Sequence, residues 1–211
     1  MAASLTFEQL RDIRERIRAI AEAQMAERGV AAVSLRSIAA AMGWTAASLY
    51  RYFGSKAELL AATRAAAYDR FADRIEAAHT SSDDLWERSR AIGDAYVAFA
   101  ADEPAAYKLI FPYDQHDPTE DSEDLARARK RSTLTLTSYV REMVAAGLIE
   151  GDPDLLAHVY WAALHGLVVL RMANKLGSRP SFEDIRHATN RLITRGAMPG
   201  AASGARPGGR R

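Results

Sequence analysis

Hydroxyl, aromatic and basic side chains crowd into the stretch from Ser34 to Leu60, SLRSIAAAMGWTAASLYRYFGSKAELL. Hydroxyl groups and phenols can hydrogen-bond to phosphate oxygens and base edges, and a basic side chain adds a positive charge for phosphate. Alanines and a few aliphatics in the same stretch suffice to hold short helices together. Nucleic acid is therefore the first candidate partner.

The same stretch has the spacing of a helix-turn-helix. Ser34 can cap a helix that runs through Met42, and Gly43 breaks it. Thr45 can cap a very short helix that ends near Phe53. Two helices joined by a three to four residue turn with glycine form this motif, so we predict it over residues 34–53.

Side chains that do not lock the two helices together should face outward. On the later helix the expected outward set is Thr45, Ala46, Ser48, Tyr50 and Tyr52. Lys56 follows in the first turn of the next helix, where backbone N–H groups and the helix dipole favour a phosphate.

Helical periodicity and helix-start residues recur along the whole chain, and strand patterns are almost absent. Thr6 and Gln9 make a capping box for a first helix that stops at Gly29, and Ser55 with Glu58 starts a fourth. Later helices are expected over about 83–101, 104–112, 123–146, 153–176 and from Ser181. We predict an all-α protein of about nine helices.

Two domains are expected, divided within the long fourth helix near residue 75. The amino-terminal domain is placed at 11–71 and a larger helical body at 80–196. The acidic segment 112–124 is expected to be an exposed, mobile loop, and the Gly, Pro, Ala and Arg-rich tail 197–211 to be disordered.

Composition restricts the classes of function. The 211 residues carry a net charge of +1, and only four of the 28 basic residues are lysines. There is no cysteine, which excludes disulfides and thiolate chemistry and favours a cytoplasmic protein. The start shows no secretory signal, and the apolar run 159–170 is expected to be too short to span a bilayer.

Enzyme and metal signatures are also missing. The sequence has no G-x-S-x-G elbow, no phosphate-binding glycine loop and no H-E-x-x-H pair. His158 and His165 could share a helix face, but without a nearby carboxylate they are a poor metal site. We expect no enzymatic activity, no cofactor and no metal.

The eighth helix is apolar on nearly all sides, so both sides must be covered. A second copy of the chain is the simplest cover, with helices near 153–176 and 181–196 of each subunit forming a four-helix interface. A homodimer with two recognition helices would read a palindromic site in double-stranded DNA.

The segment VSLRSIAAAMGWTAASLYRYFGSKAELL resembles the DNA-binding region of TetR-family transcriptional regulators, and the likeness extends over about 11–71. The resemblance implies that Arg36 contacts a base or phosphate and that Tyr50, Tyr52 and Lys56 clamp the DNA backbone. It further implies that the residues entering the major groove are Thr45, Ala46, Ala47 and Ser48.

The later segments EPAAYKLIF and WAALHGLVVL resemble the regulatory domain named for its Trp, His and Gly, here Trp161, His165 and Gly166. Such a regulator holds a small, largely apolar effector, and ligand binding would release a repressor from its operator. The candidate pocket residues are Tyr96, Phe99, Tyr107, Phe111, Tyr139, Met143, Trp161 and His165.

One alternative stays open from the sequence. A helical interaction protein could touch nucleic acid without any small-molecule effector. Its binding would depend on salt but would show no sequence preference, whereas a repressor prefers one palindrome by orders of magnitude.

Overall fold

The computed structural model describes residues 6–111 and 122–200. Across these two ranges every regular element is a helix, which confirms the all-α prediction. The nine helices are α1 (Phe7–Arg28), α2 (Leu35–Ala41), α3 (Ala46–Leu49), α4 (Lys56–His79), α5 (Leu85–Asp102), α6 (Pro104–Ile110), α7 (Glu123–Ala145), α8 (Pro153–Met172) and α9 (Phe182–Ala197).

The first helix begins and ends where local chemistry predicts. Gln9 donates its backbone N–H to the Thr6 hydroxyl at 3.2 Å, and Thr6 donates its N–H to the Gln9 side chain at 2.9 Å. Gly29 then takes a positive φ of 81° and ends α1. The capping box and the glycine stop are both confirmed.

Two helix ends differ from the sequence prediction. α3 ends at Leu49 rather than near Phe53, because the chain tightens into a turn in which Tyr52 donates its N–H to the Leu49 carbonyl at 2.9 Å. α8 ends at Met172 rather than near residue 176, because Asn174 adopts a left-handed φ of 52°.

The predicted capping box of α4 is only half formed. The Ser55 hydroxyl accepts the Glu58 N–H at 3.0 Å, as expected. The Glu58 carboxylate, however, accepts the N–H of Gly54 at 2.7 Å instead of that of Ser55. Glu58 therefore holds the turn before α4 as well as its first residues.

Contacts divide the chain into two compact units. The amino-terminal unit takes its described residues from Met1–Arg74 and Ala98–Ser132, and the carboxy-terminal unit takes its own from Ile75–Val97 and Thr133–Arg211. The amino-terminal unit thus combines the helix-turn-helix with α6 and the start of α7. The sequence-based domain bounds, 11–71 and 80–196, stay predictions.

Two predicted irregular segments fall largely outside the described residues. They are 112–121 of the acidic loop and 201–211 of the tail. Ala197, where the tail was expected to begin, is instead the last residue of α9.

The core of the amino-terminal unit joins α1 to the helix-turn-helix and to α6. Ile17, Leu49 and Phe53 are almost completely buried in one cluster, and Leu109 of α6 belongs to the same cluster. Behind it, Arg70 of α4 bridges Glu22 of α1 at 2.8 Å and Glu103 at 2.6 Å.

In the carboxy-terminal unit α8 packs along α9, and Tyr160 shares a hydrogen bond of 2.9 Å with Thr194. α8 has 20 residues and is long and apolar enough, by length and composition, to cross a membrane. The apolar run 159–170 is only part of this helix, which extends six residues before Val159. One such helix is weak evidence for a membrane span, because a core helix passes the same test of length and composition. Arg171 in its last turn contacts the ring of Phe182 at the start of α9, 4.5 Å from the ring centroid.

Candidate nucleic-acid interface

Local capping fixes both helices of the helix-turn-helix. Ser34 accepts the Ser37 N–H at 3.1 Å, and the Ser37 hydroxyl accepts the Ser34 N–H at 3.2 Å. Gly43 turns the chain with a φ of 71°. The residues that bury between the helices are Leu35, Ile38, Ala39 and Leu49. The two helices of this motif, predicted at 34–53, are therefore capped at their starts and share a buried face.

Two hydroxyls lie together at the start of α3. Thr45 caps the helix by accepting the Ser48 N–H at 3.3 Å, and the two side-chain oxygens are 3.0 Å apart. Thr45 and Ala47 are exposed, whereas Ala46 and Ser48 are half-buried. The four residues implied for the major groove thus share one short helix start.

The two tyrosines assigned as backbone clamps have different surroundings. Tyr50 is 56% exposed, although it directly follows the buried Leu49. Tyr52 is half-buried, and its ring stacks on Trp44 with the centroids 5.6 Å apart. Of the two, Tyr50 presents the freer phenol to solvent.

The two basic residues of the predicted site also differ. Lys56 donates an Nζ hydrogen bond of 3.2 Å to the carbonyl of Ala31, in the loop after α1. Arg36 is exposed on α2 and makes no hydrogen bond or ion pair with the residues that the structure describes. The Lys56 ammonium thus already has an oxygen partner, whereas the Arg36 guanidinium has none in the described part of the chain, and their contacts with DNA stay predictions.

Sequence reasoning missed the arginine that positions this surface. Arg14 of α1 donates a hydrogen bond to the carbonyl of Tyr52, lies 3.5 Å from the Glu58 carboxylate, and places its guanidinium 4.1 Å from the Phe53 ring centroid. It therefore connects α1 to the turn between α3 and α4. Arg14 follows Leu10 by four residues and precedes Ile17 by three, so a charge on the core-facing stripe was the available signal.

Arg51, directly after Tyr50, is a further cation that the predicted site did not include. It is exposed and has no ion pair or hydrogen bond within 6–111 and 122–200. Counting cations beside the predicted clamps would have found it.

Three of the predicted effector residues meet in the carboxy-terminal unit. Trp161 donates its Nε1–H to the Tyr96 hydroxyl at 3.3 Å, and that hydroxyl lies 3.0 Å from Nδ1 of His165. Whether the phenol or the Nδ1–H group donates in this second contact depends on the tautomer of His165. Burial lowers the pKa of His165.

The other five predicted effector residues are not in that cluster. Phe99 and Phe111 pack on Phe71 in the amino-terminal unit at centroid distances of 5.2 and 5.7 Å, and Tyr107 lies 4.9 Å from Phe111. Met143 and Tyr139 are buried on α7 in the carboxy-terminal unit. The effector role of all eight stays a prediction.

Potential metal ligands do not cluster in the described ranges. No group of three or more His, Asp or Glu side chains comes together there in a way that could hold a metal ion.

A capped helix-turn-helix followed by a larger helical body defines a helix-turn-helix DNA-binding protein of the regulator type. Residues 17–63 match the family described as "Bacterial regulatory proteins, tetR family", and residues 89–195 match "Tetracyclin repressor-like, C-terminal domain". The second match alone spans about half of the chain, so the protein belongs to the TetR family. The narrower type named for Trp, His and Gly stays a prediction.

Individual relatives agree with this assignment. The chain is 30% identical over 151 residues to the HTH-type transcriptional regulator Rv1816 of Mycobacterium tuberculosis, an alignment that covers 67% of this chain. The same alignment covers 62% of that relative, so the chain matches less than two thirds of its length.

Solved structures extend the comparison over nearly the whole fold. A protein of unknown function from Rhodococcus sp. RHA1 has a TM-score of 0.75 at 26% identity and covers 88% of this chain and 95% of its own. A TetR family transcription regulator from Marinobacter aquaeolei VT8 has a TM-score of 0.70 at 24% identity, over 87% of this chain and 95% of its own. The latter likeness concerns the fold alone.

Proposed function

We propose that the protein is a sequence-specific DNA-binding transcriptional regulator. It acts in the cytoplasm as a homodimer that represses transcription from a palindromic operator and leaves it when a small, largely apolar ligand binds. No enzymatic step is part of this function. Its relatives in M. tuberculosis carry the name of HTH-type transcriptional regulators, which supports the same class.

The observation that carries the proposal is the outer face of the helix-turn-helix. Tyr50 is exposed directly after α3, and the hydroxyls of Thr45 and Ser48 lie side by side at the start of the same helix. Arg36 is an exposed cation on the preceding helix. Hydroxyls and methyl groups on one short helix suit base edges in the major groove, and flanking cations suit phosphates.

A homodimer explains an apolar surface on the carboxy-terminal unit. On α8 and α9 the exposed large aliphatics are Leu155, Val159, Leu170 and Leu192. A self-complementary interface would cover them in both subunits. Two recognition helices separated by about one DNA turn, roughly 34 to 36 Å, then match the two halves of an inverted repeat.

Release by a ligand requires that the ligand prefer one arrangement of the dimer. A molecule that binds the free dimer more tightly than the operator-bound dimer lowers operator affinity by the same factor. Equal affinity for both forms would contradict this part of the proposal.

The test is selection of genomic DNA fragments by the purified protein, followed by sequencing. A shared inverted repeat among the selected fragments is the expected result. Binding that falls with salt but shows no sequence preference would contradict the proposal and favour the nucleic-acid-associated interaction protein without an effector.

A double variant, Tyr50→Ala with Lys56→Ala, then locates the interface. It should lose operator binding while the dimer persists in analytical ultracentrifugation. Lys130→Ala is the matched control, because Lys130 is an exposed lysine on α7 outside the helix-turn-helix. Loss of the dimer in the double variant would contradict the assignment of DNA binding and dimerisation to different helices.

A further inference from the structure

A cavity of about 120 Å³ lies within the carboxy-terminal unit, between α5, α7, α8 and α9. Of the eight effector residues predicted from the sequence, only Tyr139 lines it. The cavity therefore differs from the Tyr96, Trp161 and His165 cluster.

One side of the cavity is aliphatic. Its half-buried lining residues there are Ala163, Leu164 and Leu167 of α8 and Ile193 of α9. Such a surface gains free energy when an apolar group replaces water against it. An engineered apolar cavity of about 150 Å³ accommodates benzene, so this space suits a body of about that size.

Phenols add a few fixed polar groups to the wall. Tyr139 is only 8% exposed and hydrogen-bonds with Ser89, and Tyr160 is tied to Thr194 at 2.9 Å. Burial raises the pKa of both phenols, so both stay neutral near pH 7. They supply hydrogen bonds and orientation without adding charge.

Two arginines lie at the cavity, and only one of them is paired with carboxylates. Arg186 is held by Asp94 at 2.6 Å and by Glu183 at 2.8 Å, so its charge is already compensated. Arg90 is exposed at the cavity and has no carboxylate partner among the described residues. A carboxylate bound in the cavity would pair with Arg90, whereas a cation would have to compete with Arg186 for Asp94.

We propose that this cavity binds a small organic monocarboxylate with an apolar body of about the size of a benzene ring. The carboxylate pairs with Arg90, and the apolar body packs on Leu164 and Leu167. This inference rests on the proposed function only in naming the bound acid as the effector. Binding to the cavity itself is independent of DNA.

The test titrates benzoate, hexanoate and the neutral benzamide into the purified full chain by isothermal titration calorimetry. Benzoate or hexanoate should bind with a dissociation constant on the order of 1 mM, and benzamide about tenfold more weakly than benzoate. Failure of both acids to bind, or equal binding of benzamide, would overturn the proposal.

Variants place the binding in the cavity. Arg90→Gln should weaken benzoate about tenfold and leave benzamide unchanged, because only the ion pair is lost. Ala163→Phe should abolish binding of both by filling the cavity. Arg195→Gln is the matched control, since Arg195 is exposed on α9 but does not line the cavity. Benzoate binding that is unchanged in Arg90→Gln would overturn the proposal, and the exposed position of Arg90 protects this variant from misfolding.

Operator affinity with and without benzoate separates the two proposals. Weaker operator binding in wild type, but not in Arg90→Gln, supports the cavity as the effector site. Cavity binding without any effect on operator affinity would overturn the effector assignment. Absence of operator binding in any condition would overturn the proposed function, while the calorimetric result on the cavity would stand.

Discussion

The guanidinium of Arg14 lies over the ring of Phe53, 4.1 Å from its centroid, and so connects α1 to the end of the helix-turn-helix. The same side chain donates to the Tyr52 carbonyl and faces the Glu58 carboxylate at 3.5 Å. Phe53 is 1% exposed and is therefore part of the buried core. Arg14 therefore determines where the turn between α3 and α4 lies relative to α1.

Arg14→Ala should weaken both the fold and operator binding. Loss of the cation–π contact and of the hydrogen bond to the Tyr52 carbonyl should cost about 1–2 kcal/mol of the free energy of unfolding. We expect operator affinity to fall about tenfold at a temperature where the variant is still folded, because Tyr52 is no longer held in place. Urea unfolding and fluorescence anisotropy would measure the two effects.

Two further variants control for charge and for folding. Arg11→Ala removes an exposed arginine of the same helix that pairs only weakly with Glu8 and Asp12, so it should change neither quantity measurably. Arg14→Lys keeps the charge but loses the planar fork, and it should restore less than half of the lost affinity. Wild-type operator affinity in Arg14→Ala would contradict the positioning role.

Gly43 gives a test of the turn between α2 and α3. Its φ of 71° lies in the left-handed region, and an added Cβ would meet no atom within 4 Å. Gly43→Ala should therefore cost about 1 kcal/mol through backbone strain alone. Gly93→Ala, in the interior of α5, should instead stabilise by about 0.5–1 kcal/mol, because alanine has the higher helix propensity. The added Cβ fits there, since its contact with Arg186 would be an ordinary 3.7 Å.

Chemical unfolding of both glycine variants measures the contrast. The opposite signs distinguish backbone strain from a general effect of replacing glycine by alanine. Equal stability changes in the two variants would contradict the left-handed turn at Gly43.

Local features of this fold were predictable from the sequence because they depend on neighbouring residues. Thr6, Ser34, Thr45 and Ser181 all cap the helices they were expected to cap. A side-chain oxygen reaches a backbone N–H two or three residues away whatever the rest of the chain does. The outward exposure of Tyr50 followed from the same local periodicity.

Contacts between distant residues were not predictable in this way. Arg14 reaches Tyr52 across 38 residues, and Lys56 reaches the Ala31 carbonyl across 25. The predicted effector aromatics also lie in different units. Phe99 packs on Phe71 in the amino-terminal unit, whereas Tyr96 hydrogen-bonds with His165 in the carboxy-terminal unit. Periodicity shows that an aromatic side chain is buried, but it does not show which partner it meets.

His165 should make stability depend on pH. Burial lowers its pKa in the folded protein from the ordinary value of 6.5, so the unfolded chain binds the proton more readily. Its contribution to stability is therefore complete above pH 6.5 and is lost as the pH falls through the folded pKa. Unfolding in urea at about pH 7.5 and about pH 5.5 should show this loss.

His165→Gln should reduce that pH dependence, because glutamine can hydrogen-bond with the Tyr96 hydroxyl but does not titrate. His187→Gln is the control, since His187 is an exposed histidine of α9. If wild type and His165→Gln lost the same stability between the two pH values, the burial of a neutral His165 would be contradicted.

Leu192 of α9 is 72% exposed and Leu155 of α8 is 64% exposed, which is the apolar surface that the proposed dimer would cover. Leu192→Glu places a charge in that interface, so we expect monomers at micromolar concentration by analytical ultracentrifugation. Leu134→Glu is the matched control, because Leu134 is also exposed, at 47%, but lies on α7. Since one subunit holds only half of the phosphate and base contacts, the monomer should lose operator affinity by about a hundredfold or more. A Leu192→Glu protein that stayed dimeric, or a Leu134→Glu protein that became monomeric, would place the interface elsewhere on the chain.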